Sequence, residues 1–312
     1  MQMEKVKRLR GSTWVCTMDV HEVPDLAKLK PNQYNTEKYA RLMGRYGAKG
    51  HEDRNSGFLD KRAFYLGDLP NLEAVRERFD TGWKEGGERA TKLADGLIDI
   101  VSQPKSIRRR IRWGDDGDEF DRERLIDGHL DSAWRSTHRQ LAVATPIINI
   151  VTAWGGNSNR SHDQLFWSGA AAIALVRLLE TAGYQTTLTS VCTNDLHSSD
   201  KGLIVACRVK QAGEYLRPDA VASTICLGAT YRTYLFLAWL AGPWMMPDGL
   251  GHHCEVDRLL PHAIDAGMIQ APQIVIPNCF DEMSAKNAVN NALAELQAAN
   301  LAAIDMRGVT TT

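Results

Sequence analysis

The chain has no excess of either charge, no apolar run of membrane length and no paired cysteines, and each absence removes a class of function. Its 37 Lys+Arg nearly match its 38 Asp+Glu, for a formal net charge of −1 at pH 7. No global field therefore draws it to nucleic acid or to an anionic membrane surface. The most apolar stretch, Thr233 to Met246, is broken by Gly242-Pro243. It falls short of the roughly 20 residues a spanning helix needs and reads as a buried helix. The six cysteines stand at positions 16, 192, 207, 226, 254 and 279 and form no CxxC pair. Several lie inside apolar runs, which reads as buried reduced thiols rather than a disulfide framework. The opening residues, MQMEKVKRLR, are basic but lead into no apolar h-region. The expectation is a cytoplasmic chain without a signal peptide and without a membrane partner.

What is present divides in two. Residues 1–146 hold 27 Lys+Arg and 24 Asp+Glu, whereas residues 147–312 hold only 10 and 14. The first part reads as a charged, mostly helical or irregular N-terminal region; the second reads as an α/β domain. Within 1–146, Thr13–Val20 alternates as one strand and 31–57 looks irregular. Helices are expected from Pro70 through Phe79 and from Glu85 to Val101, around Arg122–Leu125, and as a short turn over Asp131–Arg135. Beyond 147 the pattern predicts strand 147–153, helix 163–182, strands 184–192 and 203–209, helix 212–216 and a short strand 220–227. Helices 229–241 and 256–266, strand 273–277 and helix 283–299 complete it. Short strands alternating with helices imply a Rossmann-like, mostly parallel sheet flanked by helices.

The segment from Pro146 to Gly183 carries the most information. An apolar strand (Ile147–Ala153) runs into the polar loop Trp154-Gly155-Gly156-Asn157-Ser158-Asn159-Arg160-Ser161, and a long helix follows. Loops beyond the carboxyl ends of such strands are where these sheets bind ligands, and a helix N-terminus can hold an anion. Yet the loop has no Lys of the GxxxxGK[ST] type, and no GxGxxG is present. The loop is therefore either a degenerate binding edge or a turn in which Ser161 or Asp163 caps the helix.

In its order of elements, INIVTA, WGGNSN, DQLFWSGAAAIALVRLLETAG and YQTTLTSV, the stretch 147–299 resembles a von Willebrand factor A (VWA) domain. The resemblance implies a metal site built from an Asp-x-Ser-x-Ser loop plus a Thr and an Asp from later loops. Here the matching positions offer Thr152 or Ala153, Trp154 and Gly156, with no acid, so the implied site is degenerate. Mg²⁺ needs oxygen ligands that usually include a carboxylate, and the expectation is no cofactor. Gly155, Gly156, Asn157, Ser158, Ser161, Asp195 and Asp281 are the candidate residues of this binding edge.

A second unusual run joins Arg108, Arg109, Arg110, Arg112 and Trp113 to Asp115, Asp116, Asp118 and Glu119. It is similar to runs in bacteriophage and mobile-element proteins where RRR…W and GD(D)GDE precede a VWA-like half; such an origin would place the protein in a host cytoplasm or a virion. Acids this dense need cations or arginines beside them, so an internal Arg–carboxylate network, a protein-binding surface and a metal site are all readings of it. Arginines beside a Trp also suit phosphates and bases, although the adjacent acids would repel that backbone. Gly251-His252-His253-Cys254-Glu255 clusters three zinc-type ligands, but structural zinc sites space theirs by two to four residues. Asp195, His197 and Ser199 lack a GxSxG elbow. The expectation is a non-catalytic binding or assembly protein acting through protein partners, copies of itself included. A divalent-metal-dependent, hydrolase-like enzyme at the sheet's C-terminal edge and a nucleic-acid binder through Arg108–Arg112 are the alternatives.

Overall fold

A computed structural model describes residues 6–8, 12–46, 61–97, 111–114, 119–129, 132–137, 147–157, 159–193, 201–242 and 274–309, with a few single positions between 260 and 272. The elements run in chain order from β1 (Val6–Arg8) and β2 (Ser12–Asp19) to helices α1 (Thr36–Tyr46), α2 (Lys61–Leu66), α3 (Leu72–Thr81) and α4 (Lys84–Asp95). Next come β3 (Ile111–Gly114), β4 (Glu119–Phe120), α5 (Arg122–Ile126) and β5 (Trp134–Thr137). Then follow β6 (Ile147–Ala153), α6 (His162–Thr181), β7 (Gln185–Thr193) and β8 (Lys201–Lys210). A broken helix over 218–241, strand β9 (Ile274–Ile276) and a closing helix, Glu282–Val309, complete the described chain.

The fold is α/β. Six strands form one sheet in the order β1-β2-β8-β7-β6-β9, and β3-β5-β4 form a small second sheet. Pairs β2–β8, β6–β7 and β6–β9 are parallel, whereas β1–β2 and β7–β8 are antiparallel. Residues on both sides of position 146 thus build one sheet. The reason is visible in β2, whose Cys16 and Met18 are almost wholly buried and add to the same apolar core as Cys207 of β8.

Helix α6 explains the depth of that core. Its residues from Leu165 to Val176 are all buried, and a helix apolar on every side is stable only when enclosed on every side. It lies between the sheet, α4, the broken helix and the closing helix. Burying one Leu or Ile side chain contributes about 1.5–3 kcal/mol, so this helix alone supplies a large share of the apolar stabilisation. A Cβ at Gly169 would lie 2.6 Å from Cys226 Sγ; its missing side chain lets the broken helix approach. On the sheet's other face Val151, Ala153, Val191, Ile204 and Ala206 pack with Leu260, Ile269 and Val275.

Several expected elements differ. Residues 220–227, read as a strand, are helical: Ala222–Cys226 form a π turn closed by Leu227 N–H donating to Ala222 O at 3.0 Å. Every residue from 221 to 240 is buried, and a uniformly buried run shows no period by which helix and strand can be told apart. The expected helix 212–216 is a turn, the irregular stretch contains α1, and Trp134-Arg135 open a strand where a helical turn was expected. The expected helix 256–266 falls mostly outside the described residues. Among the described residues no helix is long and apolar enough to cross a membrane.

Candidate functional site

Because β6, β7 and β9 are parallel, their carboxyl ends, at Ala153, Thr193 and Ile276, lie at one edge of the sheet. This is the edge where the sequence places a binding loop. The structure brings Gly155, Gly156, Asn157, Ser161 and Asp281 to it; Ser158 and Asp195 lie outside the described residues.

The loop after β6 is filled by the protein's own side chains. Trp154 is fully buried, and its indole N–H donates to Thr224 O at 2.9 Å. The π turn that holds Thr224 replaces i→i+4 bonds by i→i+5, and a carbonyl it leaves over can take an outside donor. Gly155 has φ +87°, and a Cβ there would lie 2.2 Å from the Tyr231 ring. The Tyr231 hydroxyl donates to Gly156 O at 3.2 Å. Burial in this site pushes the phenol well above its ordinary range, so it remains a donor. Tyr231 opens a second π turn, Tyr231–Leu235, whose Arg232 carbonyl takes the Tyr46 hydroxyl at 2.8 Å.

Arg232 is the chemically unusual member of the edge. It is 1% exposed. Its guanidinium donates to Phe64 O at 2.6 Å and to Arg160 O, and it stacks 3.9 Å from the Phe64 ring centre. Among the described residues no carboxylate pairs with it. Burial lowers its pKa to about 10, with Tyr231 and Tyr65 opposing the drop; at neutral pH it stays charged. His162 Nε2 also contacts Phe64 O, at 2.9 Å; a carbonyl only accepts, so Nε2 carries the proton. One buried cation thus ties together α2, the β6 loop and the broken helix.

The polar candidates at the rim are occupied in local structure. Ser161 Oγ accepts from Gln164 N–H at 3.1 Å while Gln164 Oε1 accepts from Ser161 N–H at 3.0 Å, a capping box for α6. Asp281 does the same for the closing helix: Ser284 N–H donates to Asp281 Oδ1 at 2.7 Å, and Asp281 N–H donates to Ser284 Oγ at 3.2 Å. Those bonds from Ser284 hold the Asp281 carboxyl below its ordinary value of 3.8. A lowered carboxyl stabilises the fold above the unfolded value and loses that contribution as pH falls through the folded one. Asp281→Ala is therefore expected to lower the melting temperature at neutral pH, and the deficit should close on acidification below 3.8. A deficit that persists at pH 2 would contradict the cap. Ser168 Oγ, at 3% exposure, donates to Cys279 O at 3.2 Å and accepts from Cys279 N–H at 2.8 Å, which fixes the segment after β9 on α6.

Among the described residues no group of three or more His, Cys, Asp or Glu could hold a metal ion; His252, His253 and Cys254 lie outside them. Of the charged run, Arg108, Arg109, Arg110, Asp115, Asp116 and Asp118 also lie outside. Arg112 and Trp113 sit on β3 and Glu119 on β4, and the register sets both Trp113 and Glu119 opposite Arg135 of β5. This small sheet exposes Phe120 at 46% and Trp134 at 37%, with ring centres 4.9 Å apart, and Ile126 of α5 is 73% exposed.

Sequence reading named Trp154 as a position of the loop but did not place Tyr231 or Arg232 at this edge. A signal existed for the last: Arg232 is the sole charged residue between Asp219 and Asp248, and an isolated charge in an apolar run must find buried partners.

A family model described as "Domain of unknown function (DUF7192)" matches residues 30–300. No curated protein and no solved structure matches the chain.

Proposed function

We propose that this chain, which belongs to the DUF7192 family, is a non-catalytic binding and assembly protein that works through protein–protein contacts. The observation that carries this reading is the β6 loop: Trp154, Tyr231 and Arg232 occupy the space and the backbone acceptors that a ligand at that edge would use. The succession of β6, a small-residue loop, α6 and β7 supports the VWA-like reading of the scaffold. Trp154 and Gly156 stand where the resemblance implies metal-binding oxygens, which supports a metal site that has been lost.

Contact with partners falls to the small sheet. Phe120 and Trp134 form an exposed aromatic pair, and Ile126 of α5 is exposed as well, the composition that anchors interfaces. The flanking sequence is self-complementary. Arg108, Arg109, Arg110 and Arg112 precede Asp115, Asp116, Asp118 and Glu119, so a two-fold related copy can set each run against its opposite. The kinship with bacteriophage and mobile-element sequences belongs to this same run, and assembly of copies suits such an origin.

Light scattering over a concentration series tests the reading. The wild type is expected to self-associate, and Trp134→Asp with Phe120→Asp to weaken association by at least about 30-fold, the loss of one hot spot of about 2 kcal/mol. Unchanged circular dichroism would show that the variant folds. A wild type that stays monomeric at high micromolar concentration would overturn the self-association. Salt-dependent retention of an oligonucleotide, abolished by replacing Arg108, Arg109 and Arg110 with Ala, would assign the run to nucleic acid instead.

A further inference from the structure

A second site lies on the face of the large sheet that carries Val151, at the opposite end of the strands from the β6 loop. It is a cleft of about 410 Å³ whose walls include Asn149, Thr187, Thr189, Arg208, Gln270 and Ile269. The cleft is near the lower end of the sizes, about 300–1,000 Å³, that small-molecule sites occupy. Its position has a structural cause. Leu260 and Ile269 cover the far halves of β6 and β7, while the near halves turn from apolar to polar, with Asn149 beside Thr187 and Val151 beside Thr189 in register. A register irregularity between Leu188 and Thr189 opens the β7–β8 pairing at the same place. Central strands of such sheets are ordinarily apolar on both faces, so amide and hydroxyl side chains here mark a surface meant for polar contact.

The charges at the cleft are already matched. Arg208 is held by Asp19 through two contacts, at 2.6 and 2.9 Å. Lys210, almost wholly buried, pairs with Glu180 at 2.6 Å and donates to Thr186 O and Gln211 O at 3.0 and 3.1 Å. An anion approaching Arg208 would meet a guanidinium whose charge Asp19 already balances. What the walls offer instead is neutral hydrogen bonding in a fixed chain. Thr187 Oγ1 donates to Asn149 Oδ1 at 2.8 Å, and Asn149 Nδ2 donates to Gln270 Oε1 at 3.3 Å. That order leaves the Gln270 NH₂ group and the Thr189 hydroxyl to serve a ligand, with Val151 and Ile269 as the apolar wall.

We infer that this cleft binds a neutral, polyhydroxylated molecule of sugar size, and most favourably one that also carries a carboxamide. Ring hydroxyls would exchange donors and acceptors with Thr189 and Gln270, and an acetamido methyl would rest on Ile269.

Isothermal titration and saturation-transfer NMR on the full chain decide it, with N-acetylglucosamine and glucose as neutral probes and glucuronate as the charged one. The expected order is N-acetylglucosamine, then glucose, then glucuronate. Gln270→Leu and Thr189→Val are expected to weaken N-acetylglucosamine about tenfold each, the value of one hydrogen bond of about 1.4 kcal/mol. Both substitutions lie on solvent-accessible side chains, so the fold should survive them. Absence of saturation transfer from either neutral sugar would overturn the assignment, as would binding that neither substitution changes. Preference for glucuronate would give the cleft to Arg208 and anions, against the charge-matching argument.

Discussion

Gly155→Ala is expected to destabilise the fold by about 2–5 kcal/mol, with a part of that cost, about 1–3 kcal/mol, depending on Tyr231. Two effects add. At φ +87° an L side chain is strained, which costs about 1–2 kcal/mol. The new Cβ would also lie 2.2 Å from the Tyr231 ring, a ring 1% exposed and flanked by Phe236 and Trp239. A close-packed site cannot yield that distance without moving its neighbours, at about 1–3 kcal/mol. The two effects separate in a double-mutant cycle. In a Tyr231→Leu background the overpacking is relieved and only the backbone part, about 1–2 kcal/mol, should remain. Urea unfolding of the four proteins measures it. Strict additivity would mean that the ring and the glycine are independent, and the edge would then not be the filled one described above.

The same pair shows why fold and site were unequally legible in the sequence. Strand β6 and helix α6 could be read because each carries its own signal: a seven-residue run apolar but for Asn149 and Thr152 that ends at a Gly-rich loop, and a Ser161 or Asp163 cap before a long, mostly apolar run. The glycines after Trp154 were also evident, but two chemistries leave the same trace there. A glycine that lets a ligand approach and a glycine that lets a tyrosine approach are identical in one dimension. What decides between them is Tyr231, 76 positions away, brought back by a helix that local pattern could not assign. Its two π turns come from tertiary demand, since Trp154 and Tyr46 each take a carbonyl within them, and propensity holds no record of such partners. Strand β2 illustrates the converse. Thr13–Val20 alternates and was legible as a strand, yet its place beside β8, with Ser12 against Lys201 and Asp19 against Arg208, joins residues almost 190 positions apart. A change in charge density near 146 marks where the surface becomes core, and the sheet extends across it.

Arg232→Met should cost about 2–4 kcal/mol and should loosen three separated segments together. The balance is finely set. Charge-assisted hydrogen bonds contribute about 1.5–3 kcal/mol each, and Arg232 makes two, to Phe64 O and Arg160 O. Against them stands the burial that lowers its pKa from the ordinary arginine range to about 10, equivalent to about 3 kcal/mol. The arginine itself therefore contributes between about 0 and 3 kcal/mol. Its removal costs more, because it strands the acceptors: each part-buried carbonyl left without a donor adds up to about 1–3 kcal/mol. Phe64 O keeps His162 as a neighbour, so the larger loss falls on Arg160 O and on the stack over the Phe64 ring. Arg232→Lys should rescue little, since an ammonium cannot reproduce the planar fork that spans two carbonyls. Hydrogen exchange gives the sharper readout. Amides of α2 and of 160–165 should exchange faster in Arg232→Met than in a control of equal global stability, although they lie 168 and 72 positions from the substitution. Acceleration confined to the broken helix would show that the cation only fills space, whereas acceleration in all three segments makes it the clasp that keeps the β6 edge closed.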